Sequence, residues 1–544
     1  VRLQHGLVGV GAVLLAVLLA GLLGGCASIP PAPAWAPRED AVAAVTISDS
    51  SAGAAPTDAS GTDAEPVAAP AAPVVPGLDV RLLYNADPAS PVAARWGEIP
   101  GDPAFTQLIR GRVTDAIAAH SAATGIPYAP AADAPDITAD MTGCLPGSST
   151  RPVAELLADP GLAPQTGGPV LSISCEVLAA AGNIVVQALR VVTATDGQVT
   201  ADDTTVYYIE TNGAFVTSSD TFFSDEGLRT LLRQVVEALK IGAGALRPEM
   251  TESLDAYPPE TLRPLFSHLA FGPDGSLIVT LPDGFTTPEL DQLAGVRRPT
   301  PFVVTVPPAD AGALLGEQGR QIQSVLASGT PVTLPPAPYR GQEDVDCDLF
   351  ACVAVTFDDG PGEYTESVLD SLDARRAAAT FFVQGYRVGG RAATLQRMRD
   401  EGHEIGNHSW NHPDLTKLTD EEVRDQLDRT SAAIRSAVGT APTTFRPPYG
   451  AVDERVLKLT ALPAILWTQD TNDWQLPDDP TLIARAVAQP RPGSIVLLHD
   501  VHENTARMTP SIVDGLHGRG FTLVTVEQLL GGHVPPPRTT TTHG

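Results

Sequence analysis

At 544 residues the chain exceeds one ordinary domain, so two or three folded units joined by linkers are expected. Its residues are 43% hydrophobic but only 5% aromatic, with 49 Gly and 50 Pro, which suits globular units separated by Ala/Pro-rich segments. A formal charge of −29 with no long basic run excludes a nucleic-acid partner, because nothing offsets phosphate repulsion.

Arg2 precedes an apolar run from Gly6 to Gly25, so residues 1–25 read as a secretory signal that is just long enough to span a bilayer. The run ends in Leu23-Gly24-Gly25-Cys26, which resembles a bacterial lipobox, with small residues directly before a cysteine that becomes the lipidated mature N-terminus. An uncleaved membrane helix with an incidental cysteine is the blander reading. The lipobox implies a lipid anchor at Cys26 in the cell membrane and an extracytoplasmic chain facing the cell wall. Residues 26–77 are dominated by Ala, Pro, Ser, Thr and Asp; with little apolar surface to offset ordering entropy, they are expected to form a disordered tether. Residues 533–544 read as a frayed tail.

Residues 78–330 mix two periods. GPVLSISCEVLAA, NIVVQALRVVTA and TTVYYIE alternate as strands of a partly solvated sheet. Phe105, Leu108, Ile109, Val113 and Ile117 recur at helical spacing, and SDEGLRTLLRQVVEALK repeats the pattern with Ser224 as N-cap. An α+β accessory domain follows, in two lobes dividing near Gly242–Tyr257. It has no cluster of His, Cys and carboxylates, so it reads as non-catalytic. Its element order and the segments FFSDEGLRTLL and PDGSLIVTLPDGF resemble the extracellular domain of lysozyme-sensing anti-sigma factors, also found beside some peptidoglycan deacetylases. That resemblance rests on no sharp motif and implies a wall-binding or spacer role.

With Cys26 lipidated, Cys144, Cys175, Cys347 and Cys352 remain, and an even number in an exported chain suggests two disulfides. Three pairings are possible; Cys144–Cys175 with Cys347–Cys352 is expected, since each pair then lies within one domain. A zinc cluster of the four is rejected for want of a CxxC.

A Pro/Gly-rich linker over 331–344 leads into a change of texture. Across 345–532 short apolar runs alternate with helical segments, from VAVTF through ATFFVQG, HEIGNHS, TTFRPP, AILWTQD and SIVLLHD to TLVTV. That βα alternation predicts an α/β fold with parallel strands, closed as a barrel or stacked as a doubly wound sheet. In either layout, reactive groups gather at the carboxyl ends of the strands. The first strand runs into Asp358-Asp359-Gly360-Pro361, two carboxylates on a sharp turn, which alone is also ordinary turn chemistry. The third ends in His408-Ser409-Trp410-Asn411-His412; two histidines four apart fall on one face of a helical turn and can grip one divalent metal. Such a pair with a carboxylate from another strand suits metal-assisted hydrolysis. Arg446, Asp470 and His499 follow at further strand ends, where singly they would read as surface ion pairs or a half-buried histidine.

Jointly, TFDDGP, HSWNH, RPPYG, DTNDW and LLHD resemble the five motifs of the polysaccharide deacetylase family, carbohydrate esterase family 4, also called the NodB homology domain. The resemblance covers residues 345–532 and implies a distorted, incomplete (β/α) barrel. It further implies Asp358 as general base and Asp359, His408 and His412 as metal ligands, with His499 as general acid. Arg446 would hold Asp358, Asp470 would orient Arg446 or tune His499, and the Tyr449 amide would face the oxyanion. Trp474 and Leu497 would wall the acetyl pocket. The implied activity is metal-dependent deacetylation of a cell-wall glycan, with N-acetylated peptidoglycan sugars as the expected substrate; the chain is expected to act as a monomer. Zinc is the default ion, with cobalt, nickel or manganese as alternatives. Chitooligosaccharide deacetylation and acetyl-xylan esterase activity are the readings of the same class. A wall sensor or adaptor lipoprotein is the reading of another class.

Overall fold

The computed structural model of the protein describes residues 45–49, 73, 75–85, 87–132, 143–213, 216–242, 254, 257–282, 284–291, 302–532 and 539–540. The expected signal over 1–25, Cys26, most of the tether over 26–77 and most of the tail over 533–544 lie outside the described residues. Much of the expected lobe boundary near Gly242–Tyr257 does too. Among the described residues no helix is long and apolar enough to cross a membrane.

The accessory region is built on two sheets. A four-stranded sheet has the order β1 (Thr46–Asp49), β10 (Phe302–Val306), β9 (Leu277–Leu281), β8 (Leu269–Phe271). A six-stranded sheet runs β2 (Asp79–Asn85), β3 (Val92–Glu98), β4 (Val170–Ala181), β5 (Ile184–Thr195), β6 (Gln198–Glu210), β7 (Val216–Ser218). β1 corrects the sequence reading, because it lies inside the segment assigned to a disordered tether. Its Thr-Ile-Ser-Asp run pairs antiparallel with β10, Ile47 opposite Val304, and packs Ile47 on the core below. β-Branched residues and a ready sheet edge together outweigh the Ala/Pro-rich surroundings.

β3 and β4 are parallel, joined by a crossover through the Pro103–Thr124 helix. Asp102 caps that helix by accepting from the Phe105 amide at 2.9 Å, and left-handed Gly125 ends it. Phe105, Ile109, Val113 and Ile117 are buried, but Leu108 is 42% exposed and drops out of the expected face. Period-2 alternation sends neighbouring residues of β5 into different cores. Val186 and Ala188 join Tyr208, Leu228, Leu232 and Phe271, so the two sheets and the Asp225–Gly242 helix share one core rather than forming separate lobes. Val185 and Leu189 face the other way, toward Trp96, Phe105 and Ile109. That second core runs on into Phe350, Ala354, Ile465 and Ile495 of the C-terminal unit.

The C-terminal unit is a distorted (β/α) barrel. Parallel strands follow the order β13 (Glu404–Asn407), β12 (Thr380–Val383), β11 (Cys352–Asp358), β16 (Ser494–His499), β15 (Gln469–Asp470), with β17 (Thr522–Val524) beside the start of β11. Parallel bridges from Asn407 to Phe445 and from Phe445 to Ala464 carry the ring onward from β13 to β14 (Ala464–Ile465). Cys144 is bonded to Cys175 and Cys347 to Cys352. The linker is fastened: Gln528 donates to the carbonyls of Arg340 and Glu343, and Glu343 pairs with Arg81 of β2 and Arg376 of the barrel.

Candidate active site

The ladder β11–β16 sets Asp358 directly beside His499, and the β11–β12 ladder sets it beside Phe382, so the strand ends form one rim. Asp358 is 2% exposed, and its Oδ1 accepts from Arg446 at 2.9 Å. Arg446 is fully buried. It also donates to the Thr356 hydroxyl and to the carbonyls of Ile465 and Leu466, while its guanidinium lies 4.2 Å from the Phe382 ring centroid. Burial pulls its pKa down and Asp358 opposes that pull. A cation so fully tied fixes one carboxylate oxygen and leaves Asp358 Oδ2 facing His408 Nε2 at 3.8 Å.

Asp359, His408 and His412 offer ligand atoms within 4.8 Å of one another. Asp359 Oδ1 lies 3.5 Å from the Nε2 of each histidine. His408 Nδ1 donates to the Arg446 carbonyl at 2.7 Å, which directs the Nε2 lone pair into the triad. Burial and His408 hold the His412 imidazole below its usual range. Burial raises the Asp359 carboxyl, but His408, His412, His499 and Gln384 outweigh it and hold it low. One carboxylate and two imidazole nitrogens on one side fit a borderline divalent ion bound by few protein ligands.

The histidine pair does not sit on a helical turn, which corrects the sequence reading. Ser409 and His412 both have left-handed backbone, φ 64° and 65°, and the chain from 408 to 412 is a loop. Gln426 of the Asp420–Val438 helix accepts from the amides of Trp410 and Asn411 and holds that loop. Among the described residues eight non-glycines have positive φ; five of them, Asp359, Ser409, His412, Tyr449 and Asn472, belong to the motif segments, and Leu476 lies just beyond one. Each costs on the order of 1–3 kcal/mol, so strain is concentrated where side chains must be aimed. Gly360 is demanded by close approach: a Cβ there would lie 2.4 Å from both carboxylate oxygens of buried Asp500.

His499 is held by a residue to which the sequence reading gave no role. Asp473 Oδ1 is 2.7 Å from His499 Nδ1, and its Oδ2 accepts from the His499 amide and the Thr505 hydroxyl. Burial lowers the His499 pKa, yet Asp473, with Asp358 and Asp359 behind it, pushes it up to about 9. Asp470, expected to orient Arg446 or tune His499, instead accepts from the Asn472 amide. The DTNDW segment held both acids; left-handed Asn472 is what turns the second one inward. Leu497 is buried in β16, whereas Trp474 is 54% exposed and stands at the rim. Tyr449, 70% exposed, sets its ring edge-on to His412 with centroids 4.5 Å apart. Gln384, also missed, donates to Asp359 Oδ1 at 2.5 Å.

Residues 347–462 match the model of the family described as polysaccharide deacetylase. The chain is 41% identical over 180 residues to a peptidoglycan-N-acetylglucosamine deacetylase, PgdA of Listeria monocytogenes, covering 33% of this chain and 39% of that protein. It is 40% identical over 178 residues to the peptidoglycan-N-acetylmuramic acid deacetylase PdaC of Bacillus subtilis, covering 32% and 38%. It is 38% identical over 196 residues to a chitooligosaccharide deacetylase of a Bradyrhizobium strain, covering 32% of this chain and 90% of that protein. The chain therefore spans about two fifths of the two peptidoglycan enzymes and nearly all of the third.

Proposed function

Because the chain belongs to the polysaccharide deacetylase family, we propose that it hydrolyses N-acetyl groups of a cell-wall glycan, with peptidoglycan amino sugars as substrate. The observation that carries the reading is a carboxylate locked by a buried arginine, beside a carboxylate–imidazole triad and across from a carboxylate-held histidine. Asp359, His408 and His412 would hold the metal, zinc by default with cobalt, nickel or manganese as alternatives. A divalent ion supplies positive charge where the amide oxygen becomes negative and makes a nearby water more acidic.

The chain's own groups do the rest. Asp358, oriented by Arg446, takes a proton from the attacking water. The Tyr449 amide, on a loop stiffened by Pro447 and Pro448, faces the developing oxyanion. His499, kept protonated by Asp473, gives its proton to the departing amine, so water and amide become acetate and free amine. Leu497 and Trp474 border the space for the acetyl methyl. Lipidation at Cys26 would hold the chain outside the cytoplasm and against the wall, and two disulfides support an oxidising compartment. The accessory domain then acts as a rigid spacer or wall contact beside the barrel.

Acetate release from peptidoglycan, chitooligosaccharide and acetyl-xylan by the full chain, with and without chelator, tests this. Chelator-sensitive release, greatest from peptidoglycan, is expected. Asp358→Asn should lower it by about 10²–10⁴-fold. Full release by that variant would refute the mechanism. Release only from chitooligosaccharide or acetyl-xylan would move the substrate, and no release from any glycan would favour a sensor or adaptor.

A further inference from the structure

Gln384 lies just past the end of β12, is 7% exposed, and makes two hydrogen bonds to the Asp359-Gly360 turn. Its backbone amide donates to the Gly360 carbonyl at 2.9 Å, bracing the turn that follows Asp359. Its side-chain amide donates to Asp359 Oδ1 at 2.5 Å. That oxygen is the one 3.5 Å from both imidazole Nε2 atoms, so it is the oxygen that a shared ion would take. Asp359 also has φ 73°, a left-handed conformation that is uncommon outside glycine and that aspartate tolerates better than most residues.

Two further backbone hydrogen bonds hold the segment that follows Gln384. The carbonyl of Ser409 receives the Gly385 amide and that of Trp410 receives the Tyr386 amide, so the loop after β12 is sewn to the histidine loop. A Cβ on Gly385 would strike the Trp410 ring at 2.5 Å, which leaves that loop little freedom. Gln384 thus sits on a segment tied to Ser409 and Trp410, between the two histidines, and reaches to the carboxylate. We infer that Gln384 is a positioning residue that presents Asp359 to the metal and couples its rotamer to the His408–His412 loop. A carboxylate on a single bond can rotate away from two imidazoles at little cost, and a buried neutral donor on its metal-facing oxygen removes that freedom without adding charge. Outer partners of this kind typically change metal affinity by about 10–100-fold.

This inference rests on the metal-site reading of Asp359, His408 and His412. The test is zinc affinity of the full metal-stripped chain, measured by competition with a chromogenic chelator. Gln384→Met is isosteric and removes the donor; Gln384→Asn keeps the amide but withdraws it by one methylene. The expected result is a Kd about 10–100-fold weaker for Gln384→Met, a smaller loss for Gln384→Asn, and metal-free melting temperatures that match the parent. Kd values within twofold of the parent in both variants would overturn the inference while leaving the metal site intact. A parent chain that binds no zinc would instead overturn the metal-site reading itself. The visible spectrum of the cobalt-loaded variants separates the remaining possibility: band positions should stay those of the parent, and displaced bands would make Gln384 a ligand rather than a positioner.

Discussion

His499 works as an acid only while it carries its proton, and the groups around it decide over what pH range that holds. Burial alone would leave the imidazole neutral; the Asp473 carboxylate, itself held low by His499 against the opposing effect of burial, reverses this and pushes His499 up to about 9. The protonated form is therefore present below that value and lost above it, which sets the alkaline limb of the rate profile. Asp473→Asn keeps the shape and removes the charge. The alkaline limb of acetate release should then move to lower pH by about 1–3 units relative to the parent at equal metal load. A limb that stays put would mean that Asp473 does not set the acid. At this scale the sequence reads well wherever a residue ends a strand, since alternation of β and α places Asp358, Asp359, Arg446 and His499 on one rim. It reads poorly where loop conformation decides. Asp470 and Asp473 look alike in sequence, and only the left-handed turn at Asn472 separates them. Gln384 carries no charge or motif to mark it.

The strands are placed so that a ring can lie beneath a cation. Phe382 of β12 stacks under Arg446, and β13 makes room for it with Gly406, where a Cβ would lie 2.4 Å from the Phe382 ring. Gly406→Ala must displace that ring, on which the guanidinium that holds Asp358 rests. A stability loss of about 1–3 kcal/mol is expected from overpacking, and denaturant unfolding measures it. Acetate release should fall as well, because Arg446 loses its seat; unchanged stability and unchanged release together would show that the ring has room to move. The repeated βα elements were legible because each is long enough to show its period. β1 was not, because four residues inside an Ala/Pro-rich run carry almost no periodic signal and their partner lies far away, Thr46 opposite Thr305. The histidine loop was misread for another reason. A spacing of four suits a helix, but here left-handed residues at 409 and 412 bring the rings together with centroids 4.9 Å apart.

Across the whole molecule the accessory sheet and the barrel are one packed body, since Trp96, Phe105 and Leu189 share a core with Phe350, Ala354 and Ile495. Composition could separate the two units but could not show that the Pro-rich segment between them is fastened rather than free. Glu343 is the fastening point: it faces Arg81 of the sheet at 2.8 Å, Arg376 of the barrel at 2.9 Å, and Arg340 of the linker itself. Arg81 keeps Asp79 and Glu98 if Glu343 is removed, and Arg376 is 37% exposed, so part of the loss is recovered from other partners and water. Glu343→Ala should still cost about 3 kcal/mol, the lower end for breaking a buried pair. The network lies before β11 and β12, at the amino ends of the barrel strands, whereas the site lies at their carboxyl ends. Acetate release well below the melting temperature should therefore equal that of the parent. Calorimetry should give one cooperative transition for the parent, shifted down in the variant, because a shared core cannot melt on one side alone. Two separate transitions in the parent, with the barrel's midpoint indifferent to Glu343→Ala, would instead mean that sheet and barrel fold independently and that the accessory domain is free to swing on its linker.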